Sequence, residues 1–401
     1  MLVSSPRYWL ASFALFLAGF ATFAGLYDVQ PLLPAFAAQF GVAPATASLA
    51  LSASTVMLAV SLFAAGSISE SLGRKLPMVA SVFGSAAVTF GCAAVPNFAT
   101  LLGLRVLEGI AISGVPAVAM AYISEEVAPE ALGFSMGLYI AGTAIGGMSG
   151  RFLVGFVADA HGWRAALIAV GALGLVCAIG VLALLPKSRA FEPRKQSVRG
   201  HVAAYRAHVR DAGLPWLYAT SFIIMGAFVT IYNYLGFHLA AAPFGLSQSA
   251  IGAIFIVYLV GVAASAIMGR LADRYGRRNV LWISEGIFMA GVLATLSRDL
   301  VTIVAGMAIL TFGFFGAHSV ASSWVGRRAK VNRAHATALY LFAYYVGSSV
   351  VGSLGGIVYT AAGWNGLIYA VTALLTIALA IAVLVLRPLS SRAQSRDSHQ
   401  A

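Results

Sequence analysis

Apolar runs of roughly 20 residues follow one another along the whole chain, parted by short polar segments. They fall at about 8–27, 45–65, 76–95, 99–122, 131–158 and 163–185, and then at about 215–238, 248–268, 279–297, 300–325, 335–360 and 364–386. Each is long enough to cross ~30 Å of hydrocarbon as a helix. The pattern therefore predicts an all-α membrane protein with twelve transmembrane helices, six on each side of a polar break. The expected organisation is a six-helix bundle over 1–185, a basic linker over 186–214, a second six-helix bundle over 215–388 and a tail over 389–401. The first run is not read as a signal peptide, because 216–236 is its partner and each is followed by a Phe-Gly pair, Phe40-Gly41 and Phe244-Gly245.

The second half echoes the first. Gly162-Trp163 opens the sixth run and Gly363-Trp364 the twelfth; Gly146 answers to Gly347, and Gly155 to Gly356. The clearest echo is polar. Gly269-Arg270-Leu271-Ala272-Asp273-Arg274-Tyr275-Gly276-Arg277-Arg278 holds five charges in ten residues. Its frame of glycine, acid, glycine and two bases stands 203 positions earlier in Gly66, Glu70, Gly73, Arg74 and Lys75. A short polar loop used once in each half of an apolar chain means two copies of one helical unit.

These loops resemble the signature loops of the major facilitator superfamily, which join its second and third helices and its eighth and ninth. The second copy follows the signature closely. The first departs from it with Glu70 for the aspartate and Ser71 for a base. The resemblance covers nearly all of the chain and implies two pseudo-symmetric six-helix bundles that rock about a central site. It also implies that Gly66, Glu70, Gly73 and Arg74, with Gly269, Asp273, Arg274, Gly276 and Arg277, work the inner gate.

Composition agrees. The chain is 60% apolar and 9% charged, which no soluble core of this length requires. Its net charge of +12 is not a nucleic-acid signal, because 21 of the 25 bases fall in the loops on one side, the side of both termini. That asymmetry places both termini in the cytoplasm. Loop 4–5 is the exception, with Glu125, Glu126 and Glu130 and no base. In the linker, Arg199, Arg206 and Arg210 share a helical face, which suits either an anionic membrane surface or a solvated connection. Cys92 and Cys177 lie inside apolar runs and read as packed free thiols, with no disulfide or metal site.

Ionisable groups inside a span are costly and mark function by default. Asp28 lies in Tyr27-Asp28-Val29-Gln30-Pro31-Leu32-Leu33-Pro34, where two prolines leave backbone carbonyls near Tyr27 and Gln30 without donors. Arg105 and Glu108, three apart on the fourth run, are placed to pair with each other. Here too the chain resembles the superfamily, which has an arginine one turn before a glycine (Gly109) and usually glutamine where Glu108 stands; in its proton-driven members that arginine is associated with proton coupling. Asp28, Arg105 and Glu108 are the candidate proton-coupling residues. The fifth run, with Gly142, Gly146, Gly147 and Gly150, resembles the glycine-rich motif of drug antiporters, with Gly147 in place of its proline. The candidate substrate-binding residues are Gln30, Arg151, Tyr232, Asn233, Tyr234, His318, Tyr344 and Tyr345: aromatic faces with a few polar tips suit a partly apolar ligand. Glu285 is expected to snorkel or to pair locally outside the cavity.

No nucleophile elbow, metal spacing or phosphate-cradling loop is present, so an enzyme is not expected. The expected function is proton-driven efflux of a small organic molecule across a bacterial inner membrane, by a monomer that takes no cofactor. Proton-coupled uptake of an organic anion or sugar, and a non-transporting receptor or multipass enzyme, are the alternatives.

Overall fold

The computed structural model describes residues 5–189, 191 and 198–386; the tail over 389–401 and part of the linker lie outside them. Fourteen α-helices follow in order: α1 (Pro6–Tyr27), α2 (Leu33–Phe40), α3 (Pro44–Leu72), α4 (Lys75–Ala93), α5 (Phe98–Ile112), α6 (Gly114–Glu126), α7 (Leu132–Leu184), α8 (Val198–Val209), α9 (Leu214–Ala240), α10 (Gln248–Ile254), α11 (Tyr258–Tyr275), α12 (Arg277–Ala294), α13 (Leu300–Arg328) and α14 (Arg333–Ala380). Local chemistry starts many of them. Proline stands in the first turn of α1, α3 and α9, where its missing N–H costs nothing. Asn97 and Asp299 cap α5 and α13, accepting from the amides of Thr100 and Thr302 at 2.9 and 2.8 Å.

Among the described residues nine helical stretches are long and apolar enough to cross a membrane. Two of them, α7 and α14, turn back at Gly162 (φ 81°) and Gly363 (φ 65°) and supply two crossings each. Only glycine takes that backbone readily, which is why the Gly-Trp pair recurs there. The charge-bearing α12 brings the count of crossings to twelve. The large apolar side chains left exposed, such as Phe13, Phe134, Phe156, Val176 and Leu384, are what a lipid-facing belt requires.

The halves repeat in packing as well as in sequence. Gly146 lies on the backbone of Phe20, and Gly347 on the backbone of Phe222; a Cβ on either would stand 2.1 Å from the facing carbonyl oxygen. Between the halves, Gly155 of α7 meets Gly252 of α10, and Gly356 of α14 meets Ala45 of α3, so that a Cβ would stand 2.9 Å and 2.4 Å from the partner's Cα. These two contacts close the face opposite the chain ends.

Two of the three acids of loop 4–5, Glu125 and Glu126, are structural partners of bases on the same face. Arg74 donates to both oxygens of Glu125 at 3.0 and 2.5 Å. Glu126 lies 3.7 Å from Arg7 and accepts from Ser188 Oγ at 2.7 Å and from the amide of Arg189. The linker helix α8 docks on the protein: Tyr205 meets Phe63 edge to face, His201 bonds His335 at 2.8 Å, and His208 reaches the carbonyl of Asn332 at 3.1 Å. Arg199, Arg206 and Arg210 are all exposed on the other side.

Candidate functional site: a buried ion pair behind an aromatic cavity

The first crossing is broken. Pro31 offers no N–H to the carbonyl of Tyr27, which accepts instead from Gln30 N at 3.1 Å. The carbonyl of Leu26 thereby loses its helical donor. Arg105 supplies one: its Nη2 donates to Leu26 O at 2.8 Å, its Nε to Ala50 O at 2.9 Å and its Nη1 to Asp28 Oδ1 at 3.1 Å. Both side chains are 0% exposed. The arginine is seated by a close approach of α5 to α3, where Gly109 leaves room for the backbone of Ser54 and Ser54 Oγ donates to Arg105 O at 2.8 Å.

The pairing expected between Arg105 and Glu108 is not made. The broken helix beside Arg105 offers carbonyls and a carboxylate together, and these take its donors. Glu108 instead accepts from Ser85 Oγ of α4 at 2.5 Å. The second carboxylate oxygens, Asp28 Oδ2 and Glu108 Oε2, are buried with no hydrogen-bond partner among the described residues. The expectation for Glu285 also fails: it neither snorkels nor pairs but is 1% exposed with both oxygens unpartnered among the described residues.

A cavity of about 400 Å³ lies between the halves. It runs from Met120, Gly137, Ser322 and Thr337, near the side of the chain ends, to a floor at Tyr27, Arg151 and Tyr258. Of the candidate substrate residues, Arg151, His318, Tyr344 and Tyr345 line it. Arg151 Nε donates to Gln30 Oε1 at 2.7 Å, and Gln30 Nε2 donates to Asn233 Oδ1 at 2.7 Å. This buried relay ties α7 to the break in the first crossing and on to α9 in the other half. Gln30 and Asn233 thus stand behind the floor. Tyr232 and Tyr234 stand outside the lining, bonded to Thr311 Oγ1 at 2.8 Å and Gly352 O at 2.9 Å. The aromatic wall of Phe23, Tyr27, Tyr139, Phe228, Tyr258, Phe314 and Phe315 was not singled out in the sequence. His318 sits among these rings, its Nδ1 3.0 Å from Tyr340 Oη and its ring stacked on Phe314.

Asp273 and Arg74 bond within their own halves, while the charge of Glu70 reaches His335 at the start of α14 in the other half. Asp273 accepts from Arg277 at 2.7 Å and from Arg327 at 3.2 Å. Arg74 reaches Ser69 Oγ at 2.7 Å as well as Glu125. Gly73 and Gly276 end α3 and α11 with φ of 82° and 86°.

The sequence profile of the Major Facilitator Superfamily matches residues 11–242 and 237–401. The chain belongs to that superfamily. It is 42% identical over 375 residues to the MFS-type transporter YybF of Bacillus subtilis, covering 94% of this chain and 93% of that one. It is 43% identical over 381 residues to the inner membrane transport protein YnfM of Escherichia coli, covering 95% and 90%. The multi-drug resistance efflux pump PmrA of Streptococcus pneumoniae is 26% identical over 278 residues, covering 66% of this chain and 68% of PmrA. Among solved structures, a bacterial homologue of the human lysosomal transporter Spinster, inward-facing and unoccupied, superposes with a TM-score of 0.78 at 16% identity, covering 98% of this chain and 99% of that one. The molecule is a membrane transporter of two helical halves, not an enzyme.

Proposed function

We propose that this transporter exports a small organic molecule from a bacterial cytoplasm in exchange for protons. The observation that carries the reading is Asp28: a carboxylate at full burial, held through one oxygen by Arg105, its other oxygen unpartnered beside the cavity wall at Tyr27. Arginine stays charged at any working pH, so Arg105 is a fixed counter-charge. The carboxylate gains a proton when desolvation outweighs that counter-charge and loses it when the balance reverses. Rocking of the halves changes both terms. Gln30, two residues along the broken crossing from Asp28, bonds Asn233 of the other half, which supplies a mechanical connection.

Direction and location rest on relatives. PmrA is an efflux pump and YnfM an inner membrane protein. The basic face, with both chain ends, is then cytoplasmic, and the cavity that reaches toward it is loaded from inside. The loops around Glu70 and Asp273 would lock that face in the alternate state. Each signature acid then meets a helix N-terminus of the opposite half, worth about 0.3–1 kcal/mol. The test is transport in proteoliposomes with a pH-sensitive dye inside. A compound that moves should move protons the other way; transport without any proton movement contradicts coupling.

A further inference from the structure

We infer that Arg151 is the anchor for a carboxylate on an otherwise apolar, aromatic-fitting substrate; this rests on the transport reading above and names its substrate class. Arg151 is 1% exposed and lines the floor of the cavity. Arg105, the other arginine at this depth, has its counter-charge in Asp28. Among the described residues Arg151 makes no ion pair: Asp28 feels its charge but is paired with Arg105, and the hydrogen bonds of Arg151 go to neutral oxygens, Gln30 Oε1 and Gly147 O, through Nε and Nη1. Its Nη2 makes no hydrogen bond to the described residues. The rest of its environment is aromatic, with the guanidinium carbon 4.1 Å from the ring centre of Tyr27, 4.7 Å from Tyr258 and 5.2 Å from Phe255. Ring faces steady a cation but do not neutralise it.

A buried charge without a partner is costly, and a ligand that brings the opposite charge recovers that cost. Among the described residues the cavity wall contains no aspartate or glutamate, and Arg151 is its one lysine or arginine. A cationic substrate finds no counter-ion there and one repelling charge. An acid finds a planar donor edge, with the ring pair Phe228 and Phe314, 3.8 Å apart and stacked, in the wall above for its apolar part.

The test uses the purified full-length protein in detergent and three probes of one shape, 4-phenylbutyrate, 4-phenylbutanamide and 4-phenylbutylamine, ranked by competition against labelled 4-phenylbutyrate. The acid should bind about tenfold or more tightly than the amide and the amine, the size expected for a charge-assisted contact. Arg151→Gln should bring acid and amide level, and Arg151→Lys should retain part of the preference. If Arg151→Gln does not fold, the ranking by the parent and by Arg151→Lys decides. Failure of the acid to bind, equal or tighter binding of the amide or amine, or an undiminished acid preference in Arg151→Gln overturns the assignment. The assay needs no gradient. Acid binding without proton-driven transport would remove the functional reading and leave this one. Proton-driven transport of neutral or cationic compounds, with no acid binding, would do the reverse.

Discussion

Arg105 Nη1 lies 3.1 Å from Asp28 Oδ1, with neither side chain reaching solvent. The same guanidinium bonds the carbonyls of Leu26 and Ala50. Arg105 is therefore both counter-charge and splint for a broken helix. Arg105→Ala should lower the melting temperature of the purified protein markedly, since unpairing a buried charge costs about 3–5 kcal/mol. Arg105→Lys keeps the charge but cannot fork to three acceptors, and should recover folding only in part. A lysine variant as stable as the parent would show that the carbonyl bonds contribute nothing.

Glu108 separates two roles that its sequence position joins. It is bound to Ser85 and not to Arg105, so no hydrogen bond of the Asp28–Arg105 pair runs through it, although the Arg105 charge still acts on it through space. Glu108→Gln keeps an acceptor for Ser85 and should retain proton-driven accumulation within about threefold. Complete loss of accumulation with intact binding would move the proton carrier from Asp28 to Glu108.

Gln30 bridges the two halves at the cavity floor. It accepts from Arg151 and donates to Asn233 across the halves. Gln30→Ala removes both bonds, leaves Asn233 and Arg151 short of partners, and should shift the population toward opening on the face opposite the chain ends. Spin labels at the outer ends of α7 and α10 should report longer distances in the variant. An unchanged distance distribution would show that Gly155 on Gly252 and Gly356 on Ala45 seal that face without help.

Much of this was legible in the sequence, for physical reasons. Glycines such as Gly162 and Gly363 mark turns that other residues resist, so repeated Gly-Trp pairs located the hairpins. Asp28 and Arg105 stood out because charge inside an apolar run is expensive. Partner choice was not legible. Spacing brought Arg105 and Glu108 together on one helical face, but the donors went to carbonyls released by Pro31 on another helix. The aromatic wall was hidden because Tyr27, Phe228, Tyr258 and Phe314 lie in runs where aromatic residues are ordinary lipid- or core-facing material. Only the meeting of two halves distinguishes them.

The linker's end is pinned outside the membrane. Asp211 accepts from Arg328 at 2.5 Å and from the amides of Gly213 and Leu214 at 2.8 Å. Burial works to raise its pKa, but these bonds outweigh it and hold the carboxyl below its usual value. A depressed folded pKa stabilises above the ordinary carboxylate range, and that stability is lost as pH falls through the folded value. Asp211→Asn should lower the melting temperature at pH 7 and flatten the parent's loss of stability on the acid side. Parallel pH curves for the two proteins would contradict this.

The central claim is that Asp28 carries the coupling proton, and Asp28→Asn in proteoliposomes tests it most directly. The substituted amide keeps the size of the side chain and cannot exchange a proton. With a proton gradient imposed, the parent should accumulate substrate against its gradient, while Asp28→Asn should fail to do so yet still equilibrate labelled substrate by exchange. Accumulation by Asp28→Asn at the parent's level, with protons still moving in exchange, would contradict the account.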